Sequence, residues 1–343
     1  MTEQELQILE AMLSRIEQCE ETNRLLIDAN KELVRSNQVL SESLDALRHE
    51  YECYTDNNRY ELLDTRTGYR ELFYPNIYSI AETMDTLLKG NKSLCRFGDG
   101  EFACISGNLR AGFTTKDNRM LAERLKEVLA GDDDSIMIAI ADNYGDLSYY
   151  SRQTRREIRS YMTSNVRVEH AALLDRDRYY YNAYITRPFI FLYDDMEQMG
   201  LYMKKFKELW NGQRVVIIEG SRTGFGAGND LLDNCAEIKR IIAPAVDAFE
   251  KYDEILDEAL KQDEGNLYLI ALGPVATILA YDLAKTGRRS VDIGHLDIEY
   301  EWMIRGEYRT AIPHKYVNEV VDGDDTEPLT DSVYLRQIIA KVC

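Results

Sequence analysis

Along the first fifty positions two series of residues recur seven apart. One reads Leu9, Ile16, Asn23, Asn30, Asn37, Leu44; the other, three residues later each time, reads Met12, Cys19, Leu26, Leu33, Leu40, Leu47. The second is apolar throughout, as the d positions of a coiled coil must be, which makes the first the a series. No glycine or proline interrupts residues 1–67, so a helix can run on unbroken. A buried asparagine at a is best tolerated facing its own counterpart in a parallel two-stranded coil. The pattern predicts a parallel homodimeric coiled coil over 1–51, with a trimer or a helix folded back on the body as alternatives. Residues 52–75 carry Tyr, Asp, Asn and Arg without a period and read as a linker to a body at 76–343.

The body has a different rhythm. Short apolar runs stand at Ser93–Phe97, Ile136–Ile140, Arg214–Glu219, Lys239–Ala243, Leu267–Leu272 and Ser290–Ile293. Helical spacing appears at Asn118–Leu129, Tyr252–Lys261 and Val275–Lys285. This alternation predicts an α/β fold with a Rossmann-like, doubly wound, mostly parallel sheet. Such sheets bind ligands beyond the carboxyl ends of their strands, so the residues following each run are the ones to inspect.

After Ser93–Phe97 comes Gly98-Asp99-Gly100-Glu101. Two carboxylates one glycine apart, past a buried strand, are hard ligands for Mg²⁺ or Mn²⁺. They also read as a plain acidic turn; Arg96 beside them is either their ion-pair partner or a phosphate ligand. Arg214–Glu219 is followed by Gly220-Ser221-Arg222-Thr223-Gly224-Phe225-Gly226-Ala227-Gly228-Asn229-Asp230, with a helix expected from Leu231. Backbone N–H groups, a helix start and Arg222 would cradle a phosphate there. Gly273-Pro274 opens another helix at the same edge. Gly294-His295-Leu296-Asp297 follows the last strand, and His295 beside Asp297 reads as a metal ligand or as a base with its orienting carboxylate. The middle of the chain is dense in tyrosine, with flat faces and polar tips that suit sugars and bases; Asp146 and Arg187 there are candidates for acceptor and phosphate contacts.

Bulk properties narrow the field. The 343 residues carry a formal net charge of −19, which excludes a phosphate-backbone binder and permits only a local basic pocket. No apolar run is long enough to span a membrane. The polar, acidic start and six cysteines without a CxxC or a framework point to a reducing cytoplasm. Cys95 sits in a strand run and Cys235 in a helical pattern, both as small core residues.

Taken together, Ser93–Phe102 with its Asp-X-Glu, Asn182–Pro188, Gly220–Asn234, and Leu272–Trp302 resemble the bacterial GT-D-type glycosyltransferases over most of residues 76–320. The resemblance implies a metal-dependent transfer of a sugar, typically glucose from UDP-glucose, onto a bacterial glycan or glycoprotein. It places Asp99 and Glu101 as the metal pair and His295 on the family histidine. The resulting expectation puts the cation on Asp99, Glu101 and His295. Donor contacts fall to Arg96, Arg187, Gly220, Ser221, Arg222, Asn229, Asp230 and Gly273, and acceptor activation to His295 or Asp297. Two rivals stand beside it. One is a nucleotide-dependent oxidoreductase, suggested by Gly224-Phe225-Gly226 although its third glycine is misplaced. The other is a non-catalytic coiled-coil scaffold with a nucleotide-binding body.

Overall fold

The structure, a computed structural model, describes residues 2–67, 74–107, 118–192, 195–317, 319–320, 323 and 329–342. The chain divides into two compact units, Met1–Gly68 and Tyr69–Cys343.

The first unit is one helix, α1 (Glu3–Thr67). Helical rise makes it roughly 100 Å long. It does not stop at Tyr51: residues 52–67, expected to belong to a linker, continue the helix, because nothing before Gly68 breaks it. The heptad residues Leu9, Met12, Ile16, Leu26, Leu33, Leu40, Leu44 and Leu47 are all more than half exposed.

Among the described residues the second unit has nine strands: β1 (Asn76–Ile77), β2 (Ser93–Phe97), β3 (Ile136–Ile140), β4 (Tyr179–Asn182), β5 (Arg214–Gly220), β6 (Glu237–Ala243), β7 (Leu267–Ala271), β8 (Arg289–Asp292) and β9 (Ile338–Lys341). They form one sheet in the order β1-β4-β3-β2-β8-β7-β5-β6-β9, every pairing parallel. The helices are α2 (Ile80–Lys89), α3 (Asp99–Ile105), α4 (Arg119–Ala130), α5 (Arg152–Tyr161), α6 (Ser164–Leu173), α7 (Phe189–Leu192), α8 (Met196–Phe206), α9 (Tyr252–Leu260), α10 (Pro274–Lys285), α11 (Leu296–Arg305) and α12 (Ser332–Gln337).

Side-chain alternation along the strands divides the core in two. Cys95, Phe97, Ile138, Ile140, Val216, Ile218 and Ile270 face α3, α4, α9 and α10. Leu94, Met137, Val215, Ile217, Leu269 and Val291 face α2, α8 and α11. Strands buried on both faces read as continuous apolar runs, which is why the six central ones were visible in the sequence. Each such buried side chain contributes about 1.5–3 kcal/mol.

The connection after β5 departs from expectation. No helix begins at Leu231; residues 221–234 pass through successive turns to β6. Gly224, Gly226 and Gly228 all take left-handed backbone, with φ of 57°, 68° and 77°, which a helix cannot include. A Cβ on Gly226 would lie 2.4 Å from Leu232 Cδ1, so the loop folds tightly onto its own apolar residues. Leu231 is buried, and its carbonyl accepts a bond from Trp210 Nε1 at 3.0 Å. Cys235 accordingly lies between the last turn and β6, not in a helix.

Candidate active site

Because every strand runs the same way, the carboxyl ends of β2, β3, β4, β5, β7 and β8 share one edge. Asp99, Arg187, Gly220, Gly273 and His295 therefore follow strand ends at that edge. β2 and β8 are neighbours where the winding reverses: β2 leads outward to β3, while β8 is reached from β7 on the other side. After β2 the chain enters α3, which packs in one core through Phe102 and Ile105; after β8 it enters α11, which packs in the other through Leu296 and Tyr300. These departures to opposite faces mark the topological switch point, where sheets of this kind take ligands in a crevice beyond the strand ends.

Arg96 holds the base of this crevice. Its Nε donates to the Asp292 carbonyl and its Nη2 to Asp292 Oδ1, both at 3.0 Å. Its ion pair is thus with Asp292, a residue unremarked in the sequence, and not with the acids that follow it. Thr277 of α10 donates to the Arg96 carbonyl at 2.9 Å, and Gly294 N to Asp292 Oδ1 at 3.1 Å. A Cβ on Gly294 would come within 1.8 Å of Arg96 Nη2, so a side chain there would push the guanidinium off Asp292.

Asp99 and Glu101 occupy the first turn of α3, where the helix dipole favours carboxylates. Glu101 Oε2 accepts from Gly98 N at 2.7 Å. Burial and the charge of Asp292 push the Glu101 carboxyl up to about 7, against the pull of the Gly98 N–H and Arg96. Among the described residues no group of three or more His, Cys, Asp or Glu side chains is arranged to hold a metal ion. Two carboxylates one residue apart are hard-oxygen ligands of the kind that leave a cation's other positions to water and a substrate phosphate.

His295 belongs to a different group. It caps α11, and its Nδ1 lies 3.2 Å from both Arg187 Nη1 and Glu319 Oε1. Arg187 also donates from Nε to Glu299 Oε1 at 2.7 Å and from Nη2 to Glu319 Oε2 at 3.0 Å. Burial works against the guanidinium charge, but Glu319 and Glu299 outweigh it and raise its pKa. Burial likewise lifts Glu299, while at Glu319 the opposing pull of Arg187 and His295 wins and holds it well below the usual carboxylate range.

Asp297 is not placed to act as a base. It is buried, ion-paired with Lys315 Nζ at 2.7 Å and bonded to Asn229 Nδ2 at 2.9 Å. Asn229 also reaches Glu301 Oε1 at 2.7 Å, and Asp230 accepts from Tyr300 OH at 2.6 Å and Lys207 at 3.1 Å. Asn229 and Asp230, two of the loop residues expected at the nucleotide, are thus committed to Lys207 and α11. Arg222 lies over the Tyr316 ring at 5.4 Å, and its carbonyl takes the Tyr316 N–H. Ser221 N bonds the Ala243 carbonyl beside β6. Asp146 closes a local turn on Ser148 N and Oγ. The alternation of acids in 295–301 resolves on a helix. Positions 295 and 299 face Arg187 and positions 297 and 301 face Lys315, a spacing of four that was legible. Lys315 and Glu319 lie in a stretch without periodicity and gave no signal.

A glycine loop that opens no helix also removes the feature that favoured a dinucleotide-dependent oxidoreductase.

A family model for the glycosyltransferase GT-D fold matches residues 94–320. The chain is 34% identical over 272 residues to a probable glycosyl transferase Gly of Streptococcus gordonii, and 30% identical over 268 residues to glycosyltransferase GlyD of Streptococcus pneumoniae. Each match takes in 78% of this chain but only 39% and 32% of those longer relatives. A solved domain of unknown function 1792, described as a distinct glycosyltransferase fold, matches with a TM-score of 0.72 at 31% identity, over 78% of this chain and 96% of that one. A glycosyltransferase of the same kind from Streptococcus sanguinis matches with a TM-score of 0.72 at 32% identity, over 79% and 100%. With its switch-point crevice, its Asp-X-Glu turn and these relatives in agreement, the chain belongs to the GT-D-fold glycosyltransferase family.

Proposed function

We propose that the body moves a hexose, glucose in the first instance, from a UDP-sugar to a hydroxyl of a bacterial glycan or glycoprotein. In this reading Mn²⁺ or Mg²⁺ sits at Asp99 and Glu101. One observation carries the proposal: the residues around the β2–β8 ends include five carboxylates, Asp99, Glu101, Asp292, Glu299 and Glu319, against the guanidinium groups of Arg96 and Arg187 and of Arg309, which Glu319 shares with Glu157. A nucleoside diphosphate brought there meets net negative charge, and a divalent cation makes the two compatible. When bound, the cation neutralises the diphosphate as it leaves.

The chain's own residues supply the rest. Gly273, at φ 55° and ψ −145°, starts α10 with backbone donors at the strand edge, suited to a phosphate or ribose. Arg187 fixes the imidazole and both glutamates in one frame. In this reading His295, whose Nδ1 lies 3.2 Å from Glu319 Oε1, takes the proton of the acceptor hydroxyl, work worth about 10²–10⁴-fold. The same reading joins two chains through α1 in a parallel coiled coil, consistent with its exposed heptad residues, and places the protein in the cytoplasm. No described helix is long and apolar enough to cross a membrane.

The test is a screen of UDP-sugars for hydrolysis with and without Mn²⁺. Turnover that needs the metal supports the assignment. Full turnover in EDTA, or in the Asp99→Ala, Glu101→Ala double variant, contradicts it.

A further inference from the structure

The edge one strand away from the donor crevice has the make-up of a sugar site. Asp142 follows β3, and its neighbour Ala141 donates to the Phe97 carbonyl at 3.1 Å, so Asp142 stands beside the start of α3. Its Oδ2 accepts from Tyr149 OH at 2.7 Å and from Asn182 Nδ2 at 3.4 Å. Its carbonyl accepts from Tyr150 OH at 2.8 Å. Among the described residues no hydrogen bond reaches Oδ1, and the residue is only half-buried. Tyr149 is 57% exposed while Tyr150, packed against it with centroids 4.2 Å apart, is buried. The inner ring fixes the outer one, leaving a flat aromatic face beside a carboxylate oxygen. That is the combination that takes a sugar: C–H bonds on the ring, a hydroxyl on the acid.

Tyr184 ties this place to the donor crevice. It follows β4 at the same carboxyl edge, and burial and the charge of Asp99 raise its phenol while Arg187 opposes them. It also meets Tyr150 edge-on at 6.1 Å.

We infer that the acceptor is a saccharide seated at the ends of β3 and β4, its ring on Tyr149 and a hydroxyl on Asp142. The inference rests on the glycosyl-transfer reading above and names its acceptor subsite. It moves the acceptor contact from Asp146, whose oxygens close a turn, to Asp142.

The test needs no donor. A panel of p-nitrophenyl monosaccharides is titrated calorimetrically into the full chain. Wild-type protein binds at least one of them saturably. Asp142→Asn and Tyr149→Ala each weaken that binding about tenfold or more, the loss of one good hydrogen bond or one stacking face. Asp146→Asn binds as wild type. Tyr149 is exposed, so its variant keeps the test valid even where Asp142→Asn fails to fold. Absence of binding by wild type to every glycoside, or wild-type affinity in the Tyr149 variant, overturns the subsite. Hydrolysis of UDP-sugar without glycoside reads the other level separately: its absence in wild type contradicts glycosyl transfer, whereas failed glycoside binding with hydrolysis intact contradicts the subsite alone.

Discussion

The body buries two arginines among acids, and they are wired differently. Arg240 pairs with Glu219 at 2.7 Å, both almost fully buried, and every other partner of the pair is neutral: the Phe225 backbone, Gln337 and Tyr334. One cation meets one anion, and the set closes on itself. Arg187 meets Glu299, Glu319 and His295, with itself, Glu319 and His295 each about one-fifth exposed. Arg309 lies 3.9 Å from Glu319 as well, but it is paired with Glu157 at 2.7 Å, so three glutamates face two guanidinium groups and one imidazole. A balanced group stitches β5, β6 and α12 together; in the proposed reading the unbalanced one is completed by a ligand. Burial alone does not draw this distinction, since both arginines are buried or nearly so.

The largest effect expected from breaking this contrast is on stability. Arg240→Met strands Glu219 in the core and costs about 3–5 kcal/mol, read by urea unfolding. Adding Glu219→Leu recovers most of it, because the pair is charge-balanced.

A second variant sharpens the contrast by separating pH effects of the fold from those of the site. His170 is buried behind α3, stacked on Phe102 with centroids 3.8 Å apart and bonded through Nδ1 to Tyr144 OH at 2.7 Å. Burial lowers its pKa to about 4 from 6.5. The unfolded chain therefore binds the extra proton first. Its contribution is full above pH 6.5 and falls away as pH drops toward 4, by about 3 kcal/mol. His170→Phe should flatten that part of the pH–stability curve, while metal-dependent hydrolysis at neutral pH survives. An unchanged slope would assign the acid sensitivity to other groups.

The smallest change in stability and the clearest change in function belong to Arg187→Lys. The charge stays, but one ammonium cannot hold two glutamates and an imidazole in the fork geometry. Stability should shift less than in Arg240→Met, because the charge is kept, while kcat/KM drops about 10²-fold. Loss of stability without loss of turnover would place Arg187 with Arg240 as structural.

Much of this was readable before the fold. Strands buried on both faces announce themselves as apolar runs, and the parallel order follows from their alternation with helices. The Asp-X-Glu pair and the histidine, nearly two hundred residues apart, follow adjacent strands, but the histidine meets Arg187 and Glu319 instead of joining the acids as a third cation ligand. What escaped notice was short or tertiary in origin. β1, β4 and β9 have four residues or fewer. Lys315 and Glu319 gain meaning only from what they touch. The glycine loop misled because left-handed glycines can serve compaction as well as phosphate: Gly226 is there for Leu232.

The central claim is that the β2–β8 crevice binds a nucleoside diphosphate only with a cation on the Asp-X-Glu pair. Calorimetric titration of UDP into the full chain, with Mn²⁺ and then with EDTA, tests it directly. The account predicts binding with metal, at least about a hundredfold weaker binding without it, and no metal effect in Asp99→Ala, Glu101→Ala. Equal affinity in Mn²⁺ and EDTA would contradict it.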